Sequence, residues 1–274
     1  LSISMPASAS WGDSIGLNDV LEQLTKRHDI PAMAIVVLDG DRIVDSAAVG
    51  IRVRGSEEQV TLDDSWHLGS CTKAMTATLA ARLVEQGTLR WESTIAEVLT
   101  DLSASMHTAY PKVTLRELLT HRGGVPSEML RTVTWKRARS REGTPHDQRR
   151  AFVADVLQME PVGPRGNYAY SNAGYTVAGF MCAQAAGVPY EQLIQEEVFD
   201  PLGMTSAGFG TPLQHNPDQP NGHRGDGTPS RPEADNPVAI TPAGRVHCTM
   251  QDWSRFIAAH LIGEQGEHVL LEPG

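Results

Sequence analysis

Ser70-Cys71-Thr72-Lys73 places a hydroxyl three residues before an amine. On a helix, residues three apart share a face, so these side chains can meet without help from distant parts of the chain. A serine hydroxyl is a weak nucleophile until a base takes its proton. A lysine can be that base where burial or neighbours lower its pKa. The chemistry this predicts is acyl transfer through Ser70. At a helix N-terminus, backbone N–H groups and the dipole would also favour the negative charge of an acyl-transfer intermediate. Taken alone, the tetrad is better read as an N-cap serine followed by a solvated lysine.

A second pair strengthens the first. Tyr170 and Asn172 stand two apart in Tyr170-Ser171-Asn172. Two such residues in a turn can point to one side. The phenol can relay a proton to a leaving group, and the amide can hold a substrate carbonyl or orient the lysine. A Gly/Asn-rich turn with packed tyrosines would read the same way.

The element that must carry the tetrad is a helix over 74–86. That run has no Gly or Pro, shows Leu79, Leu83 and Gln86 as one stripe, and stops at Gly87. Upstream, Leu17, Val20, Leu21 and Leu24 repeat at helical spacing over 17–28, with Ser14 as the expected cap. Gly12-Asp13-Ser14-Ile15-Gly16 matches a nucleophile elbow in letters only, since no strand precedes it. Strands are expected over 32–38 and 42–49 around the hairpin signal Asp39-Gly40-Asp41. From 65 to about 209 the signals are mainly helical. Residues 210–237 form a long Pro/Gly-rich loop, and a helix over 250–262 returns the chain to the hairpin side.

Taken together, the segments resemble the serine β-lactamase and penicillin-binding superfamily. The branch resembled is that of class C β-lactamases, D-Ala-D-Ala carboxypeptidases and their esterase relatives. His67 to Ala77 is similar to the nucleophile segment, and Tyr170-Ser171-Asn172 to the Tyr-x-Asn motif that replaces S-D-N in this branch. Val113 to Pro126, Phe199 to Met204 and Pro242 to Trp253 match further segments in the expected order. The resemblance implies Ser70 as acyl-forming nucleophile, Lys73 as its base, Tyr170 as second proton carrier and Asn172 as substrate-orienting amide. It implies a serine hydrolase acting on a β-lactam, a D-amino-acid peptide or an ester. The alternative is a non-catalytic or truncated relative that only binds ligand.

The implied fold is α/β of the α+β type, with an antiparallel sheet flanked by helices and an inserted all-helical lobe. Residues 1–64 and 238–274 would form the α/β lobe, and 65–237 the mainly helical lobe with both motifs. One family segment has no counterpart here, the Lys/His-[Ser/Thr]-Gly edge strand. The nearest matches, His107-Thr108-Ala109, His121-Arg122-Gly123 and His223-Arg224-Gly225, lack strand character. The family's C-terminal strands are therefore expected to be missing and the sheet incomplete. Either a strand-completing segment or a second protomer of a homo-oligomer fills the edge, or the Ser70 pocket stays open and hydrolysis is slow.

Composition bounds the rest. The 274 residues are 40% hydrophobic and 20% charged, which suits a globular enzyme. A net charge of −10 argues against nucleic acid or an anionic membrane surface as partner. No stretch approaches a membrane span. The basic segment 131–150 reads as a solvated face, with a carboxylate-attracting rim as the functional alternative. Three scattered cysteines and ten scattered histidines offer no metal or redox motif, so no cofactor or metal is expected. Cys71 is expected to pack as a small apolar residue beside the nucleophile. The partner is a small-molecule or peptide substrate. The compartment stays open, with family habit favouring the periplasm or secretion.

Overall fold

The computed structural model describes residues 16–126 and 133–263. Its elements, in chain order, are α1 (Leu17–His28), β1 (Ala32–Asp39), β2 (Arg42–Gly50), β3 (Ser65–His67), α2 (Thr72–Glu85), α3 (Ile95–Val98), α4 (Leu115–Leu119), α5 (Val133–Ser140), α6 (Pro145–Val156), α7 (Asn172–Ala186), α8 (Tyr190–Ile194), β4 (Gly208–Phe209), α9 (Thr241–Gly244), β5 (Val246–Thr249) and α10 (Met250–Gly263). This is the mixed α/β fold with antiparallel pairing that the sequence led us to expect.

The hairpin forms where the β-branched runs Ile35-Val36-Val37 and Ile43-Val44 flank the Asp39-Gly40-Asp41 turn. β1 and β2 pair from Ala32↔Gly50 to Asp39↔Arg42, with one irregularity after Val37. α1 lies against β2, and α10 returns to β1. The α1 N-cap is Gly16; Ser14, expected there, lies outside the described residues.

A second sheet, ordered β3-β5-β4, was not legible in the sequence. Its strands have three, four and two residues. Such lengths are too short for a period-2 pattern to show. Their pairing nevertheless decides the site. Ser65↔Thr249, Trp66↔Cys248 and His67↔His247 fix the residues just before Ser70 against β5.

α7 is the centre of the helical core. Every residue from Ala173 to Ala183 is buried, so α7 is enclosed on all sides. α2, α4, α6, α8 and α9 pack on it. Gly179 permits a close approach of α9: a Cβ there would fall 2.6 Å from the Pro242 ring. Thr94, Thr114 and Thr144 start α3, α4 and α6 as capping boxes with Glu97, Glu117 and Asp147.

α2 starts at Thr72, two residues before the expected run. Its buried face is Thr72, Met75, Thr76, Leu79, Ala80 and Leu83. Gln86, read as part of that stripe, is exposed and donates to Glu197. The basic segment is largely solvated, but some of its charges are paired: Arg141 with Asp155 and Arg150 with Asp101. Arg149 departs from that reading, being fully buried against Glu191. Arg131 lies outside the described residues. Among the described residues no helix is long and apolar enough to cross a membrane. None of the described His, Cys, Asp and Glu residues form a group of three or more that could hold a metal.

Candidate active site

Ser70 sits in a 3-10 turn, Gly69–Cys71, that runs directly into α2. Side chains three apart eclipse in a 3-10 turn. This brings Lys73 Nζ to 3.2 Å from Ser70 Oγ. Ser70 is exposed, while Lys73 is only 6% exposed. Cys71 is exposed as well and does not pack as an apolar neighbour of the nucleophile.

Tyr170 and Asn172 arrive from the start of α7. Ser171 is its N-cap in extended backbone, and successive extended residues point to opposite sides. Ser171 Oγ faces inward, accepting from Gly174 N–H and donating to the Pro126 carbonyl. Its two neighbours therefore face the other way together. The Tyr170 hydroxyl donates to Ser70 Oγ at 2.8 Å, and Lys73 Nζ donates to Asn172 Oδ1 at 2.8 Å. The four residues singled out in the sequence thus form one connected group, although 99 positions separate Lys73 from Asn172.

Lys73 has a third partner that the sequence did not show. Its Nζ donates to the Ala243 backbone carbonyl at 2.6 Å. The amine also lies 4.8 Å from the Tyr170 ring centroid and 5.6 Å from that of Tyr175. Burial lowers the Lys73 pKa, and the Tyr170 hydroxyl only partly opposes it. No carboxylate pairs with it among the described residues. A lysine held this way can exchange a proton with Ser70 at milder pH than a solvated one.

Two supports around this group were also missed. The first is His121, whose backbone is left-handed at φ 60°. Its Nδ1 accepts the Ser171 N–H at 3.0 Å, and its ring lies 4.4 Å from the Tyr170 ring at a tilt of 36°. An accepting Nδ1 requires an unprotonated ring nitrogen. Burial, then the charge of Lys73, hold this imidazole below its ordinary 6.5. Because the folded pKa lies below the unfolded one, the associated stability is present above 6.5 and is lost as pH falls through the lowered value. We expect His121→Asn, which keeps tolerance for a left-handed backbone, to slow acylation of Ser70 by about tenfold through loss of Tyr170 placement. The check is a double-mutant cycle: His121→Asn should add no further loss to Tyr170→Phe. Multiplying effects would show that His121 acts elsewhere.

The second support is His67. Its Nδ1 accepts the Gly69 N–H at 3.2 Å, and its Nε2 lies 3.0 Å from Asp235 Oδ1. Asp235 also takes Arg245 Nε at 2.9 Å and the Asn236 N–H at 2.6 Å. Burial alone would raise the Asp235 pKa; the His67 hydrogen bond and the Arg245 charge outweigh it and hold the carboxylate low. This hub braces the Ser70 turn against the 235–245 segment. His67 and Asp235 also line a cavity of about 410 Å³ that none of the four central residues borders. None of the three Lys/His-[Ser/Thr]-Gly lookalikes lies in a strand among the described residues.

The beta-lactamase family model matches residues 17–273. The chain belongs to the beta-lactamase family. It is 28% identical over 265 residues to penicillin-binding protein 4 of Amycolatopsis lactamdurans, covering 91% of this chain and 65% of the relative. It is 26% identical over 239 residues to the D-alanyl-D-alanine-carboxypeptidase/endopeptidase AmpH of Escherichia coli K12, covering 84% and 57% respectively. Among solved structures, D-alanine carboxypeptidase AmpC from Burkholderia cenocepacia superposes with a TM-score of 0.70 at 26% identity. That match covers 87% of this chain and 61% of that one. The chain therefore spans about 57 to 65% of the length of these beta-lactamase family members. At family level these are serine hydrolases of the β-lactamase and D-Ala carboxypeptidase type.

Proposed function

We propose that this chain is an acyl-transferring serine hydrolase. One observation carries the reading: Ser70 Oγ is exposed and lies within hydrogen-bond reach of both Lys73 Nζ and the Tyr170 hydroxyl, at 3.2 and 2.8 Å. Neutral Lys73 takes the Ser70 proton as Oγ bonds to an amide or ester carbonyl carbon. The tetrahedral intermediate collapses, and the bond to the leaving group breaks as that group takes a proton through Tyr170. Water then attacks the acyl-enzyme, releasing the acid and restoring the Ser70 hydroxyl. Asn172 orients Lys73 and lies where it can also receive a substrate carbonyl.

The relatives named as penicillin-binding protein and D-alanyl-D-alanine-carboxypeptidase favour a β-lactam or a D-amino-acid peptide over a simple ester. We place the seam between a hairpin lobe, 1–64 with 238–274, and a helical lobe, 65–237. Among the described residues β1 pairs only with β2, and a strand from a further segment or a second copy would add to its other edge. Without such a strand the second reading applies, a ligand-binding module without turnover.

Incubation with a fluorescent penicillin and, separately, with a fluorophosphonate, followed by peptide mass mapping, tests both. We expect one adduct, on Ser70. Binding of the penicillin without any adduct from either reagent would favour the binding module.

A further inference from the structure

Behind Lys73 runs a buried polar chain that the reaction scheme does not use. Thr76 Oγ1 lies 2.7 Å from the Pro242 carbonyl and 2.7 Å from the Tyr190 hydroxyl. A carbonyl only accepts, so the Thr76 proton goes to Pro242, and the Tyr190 phenol must donate to Thr76. The Thr72 carbonyl, at 3.3 Å, is the more distant acceptor. Burial pushes the Tyr190 phenol well up, which keeps it a donor.

Arg149 grips the same segment from another side. It is fully buried, and its two terminal nitrogens fork onto the Glu191 carboxylate, with Nη1 3.2 Å from Oε2. Its Nε donates to the Ala239 carbonyl at 3.2 Å, and its guanidinium carbon lies 5.1 Å from the Tyr190 ring centroid. Asn236 Nδ2 holds the Gly244 carbonyl at 2.8 Å. The carbonyls of residues 239, 242 and 244 are thus each fixed by a side chain. The carbonyl between the last two, that of Ala243, receives Lys73.

A neutral amine has two N–H bonds and one lone pair. Lys73 meets two acceptors, Ala243 O at 2.6 Å and Asn172 Oδ1 at 2.8 Å, and one hydroxyl, Ser70 at 3.2 Å. If the acceptors take the two N–H bonds, the lone pair is left for Ser70. That direction depends on where the Ala243 carbonyl points. Apolar packing of Pro242 against Gly179 presses α9 onto α7 but does not fix the rotation of a peptide plane; hydrogen bonds on its neighbours do.

We propose that Thr76, Tyr190 and Arg149 are positioning residues that lock the 239–244 segment so that its Ala243 carbonyl aims the Lys73 lone pair at Ser70. This rests on Ser70 and Lys73 being the acylating pair.

The test measures fluorophosphonate labelling rate against pH, with melting temperature, for the full chain and for Thr76→Ser, Thr76→Val and Tyr190→Phe. Thr76→Ser keeps the hydroxyl but loses a buried methyl; it should melt lower while labelling within about twofold of wild type. Thr76→Val keeps the volume but loses the hydroxyl; its plateau rate should fall by about tenfold to a hundredfold. Its half-maximal pH should also move down, because a charge-assisted bond to Ala243 favours the ammonium over the amine. The titratable groups facing Lys73 are Tyr170, Tyr175, Cys71 and His121, and none is hydrogen-bonded to Thr76, so their effect stays constant across the series. Tyr190→Phe should shift rate and half-maximal pH in the same directions by less, and it stands in if Thr76→Val does not fold. Wild-type rate and pH profile in the variants, or rates that merely track melting temperature in both Thr76 variants, would overturn the proposal alone. An unlabelled wild type would overturn it together with the hydrolase reading.

Discussion

Ser70→Ala is expected to abolish covalent labelling by both a fluorescent penicillin and a fluorophosphonate, with the melting temperature nearly unchanged. The Ser70 side chain is exposed, and its hydroxyl touches Lys73 Nζ and the Tyr170 hydroxyl. Its loss leaves no buried cavity, and Lys73 keeps Asn172 and Ala243 as acceptors. The fold should therefore survive while the electrophile finds no oxygen to attack. Cys71 makes this a demanding test. It is an exposed thiol next in sequence to Ser70. A reagent that labelled Cys71 would still label the Ser70→Ala variant, and mass mapping would place the adduct one residue further on. Persistent labelling at any position would remove Ser70 from the proposed role.

How far the sequence alone could lead depends on the range of each contact. Ser70 and Lys73 were legible because their meeting is local. The actual geometry is a 3-10 turn feeding α2 rather than the start of a helix at Ala74, yet both arrangements bring residues three apart together. Tyr170 lies 100 positions beyond Ser70. Nothing in composition or periodicity could bring it and Asn172 to the nucleophile, and only the resemblance of ordered segments did. α1 was legible because it is long enough to show its period, and the hairpin because the Asp39-Gly40-Asp41 turn separates two β-branched runs.

What escaped the sequence is what short elements and backbone groups contribute. The Ala243 carbonyl has no letter of its own. Strands such as Ser65–His67 and Val246–Thr249 are too brief to register, although they anchor the Ser70 turn. Thr76 and Tyr190 sit in stretches that read as ordinary core. Their meaning lies in one hydroxyl proton each, which burial makes costly to leave unpaired. Arg149 looked like one of several surface cations, because a sequence does not show that Glu191 and the Ala239 carbonyl wait for it inside.

Lys73→Arg is expected to slow acylation of Ser70 by about a hundredfold to ten-thousandfold, the range that a positioned general base supplies. Arginine stays protonated at any pH the protein survives, so it cannot take the Ser70 proton. The substitution also separates charge from base function, which a change to alanine would not do. In wild type, burial lowers the folded Lys73 pKa below the ordinary lysine value. The folded protein then binds fewer protons than the unfolded chain between those two values. Stability should rise with pH across that window and be lost again as pH falls through the folded value. The introduced guanidinium keeps its charge throughout, so this component of the pH–stability curve should vanish in the variant. Labelling kinetics and melting curves from neutral to alkaline pH measure both effects on one sample. Near-normal acylation in Lys73→Arg would transfer the base role to the Tyr170 phenol, the other group within reach of Ser70 Oγ. Tyr170→Phe would then become the variant that stops the reaction.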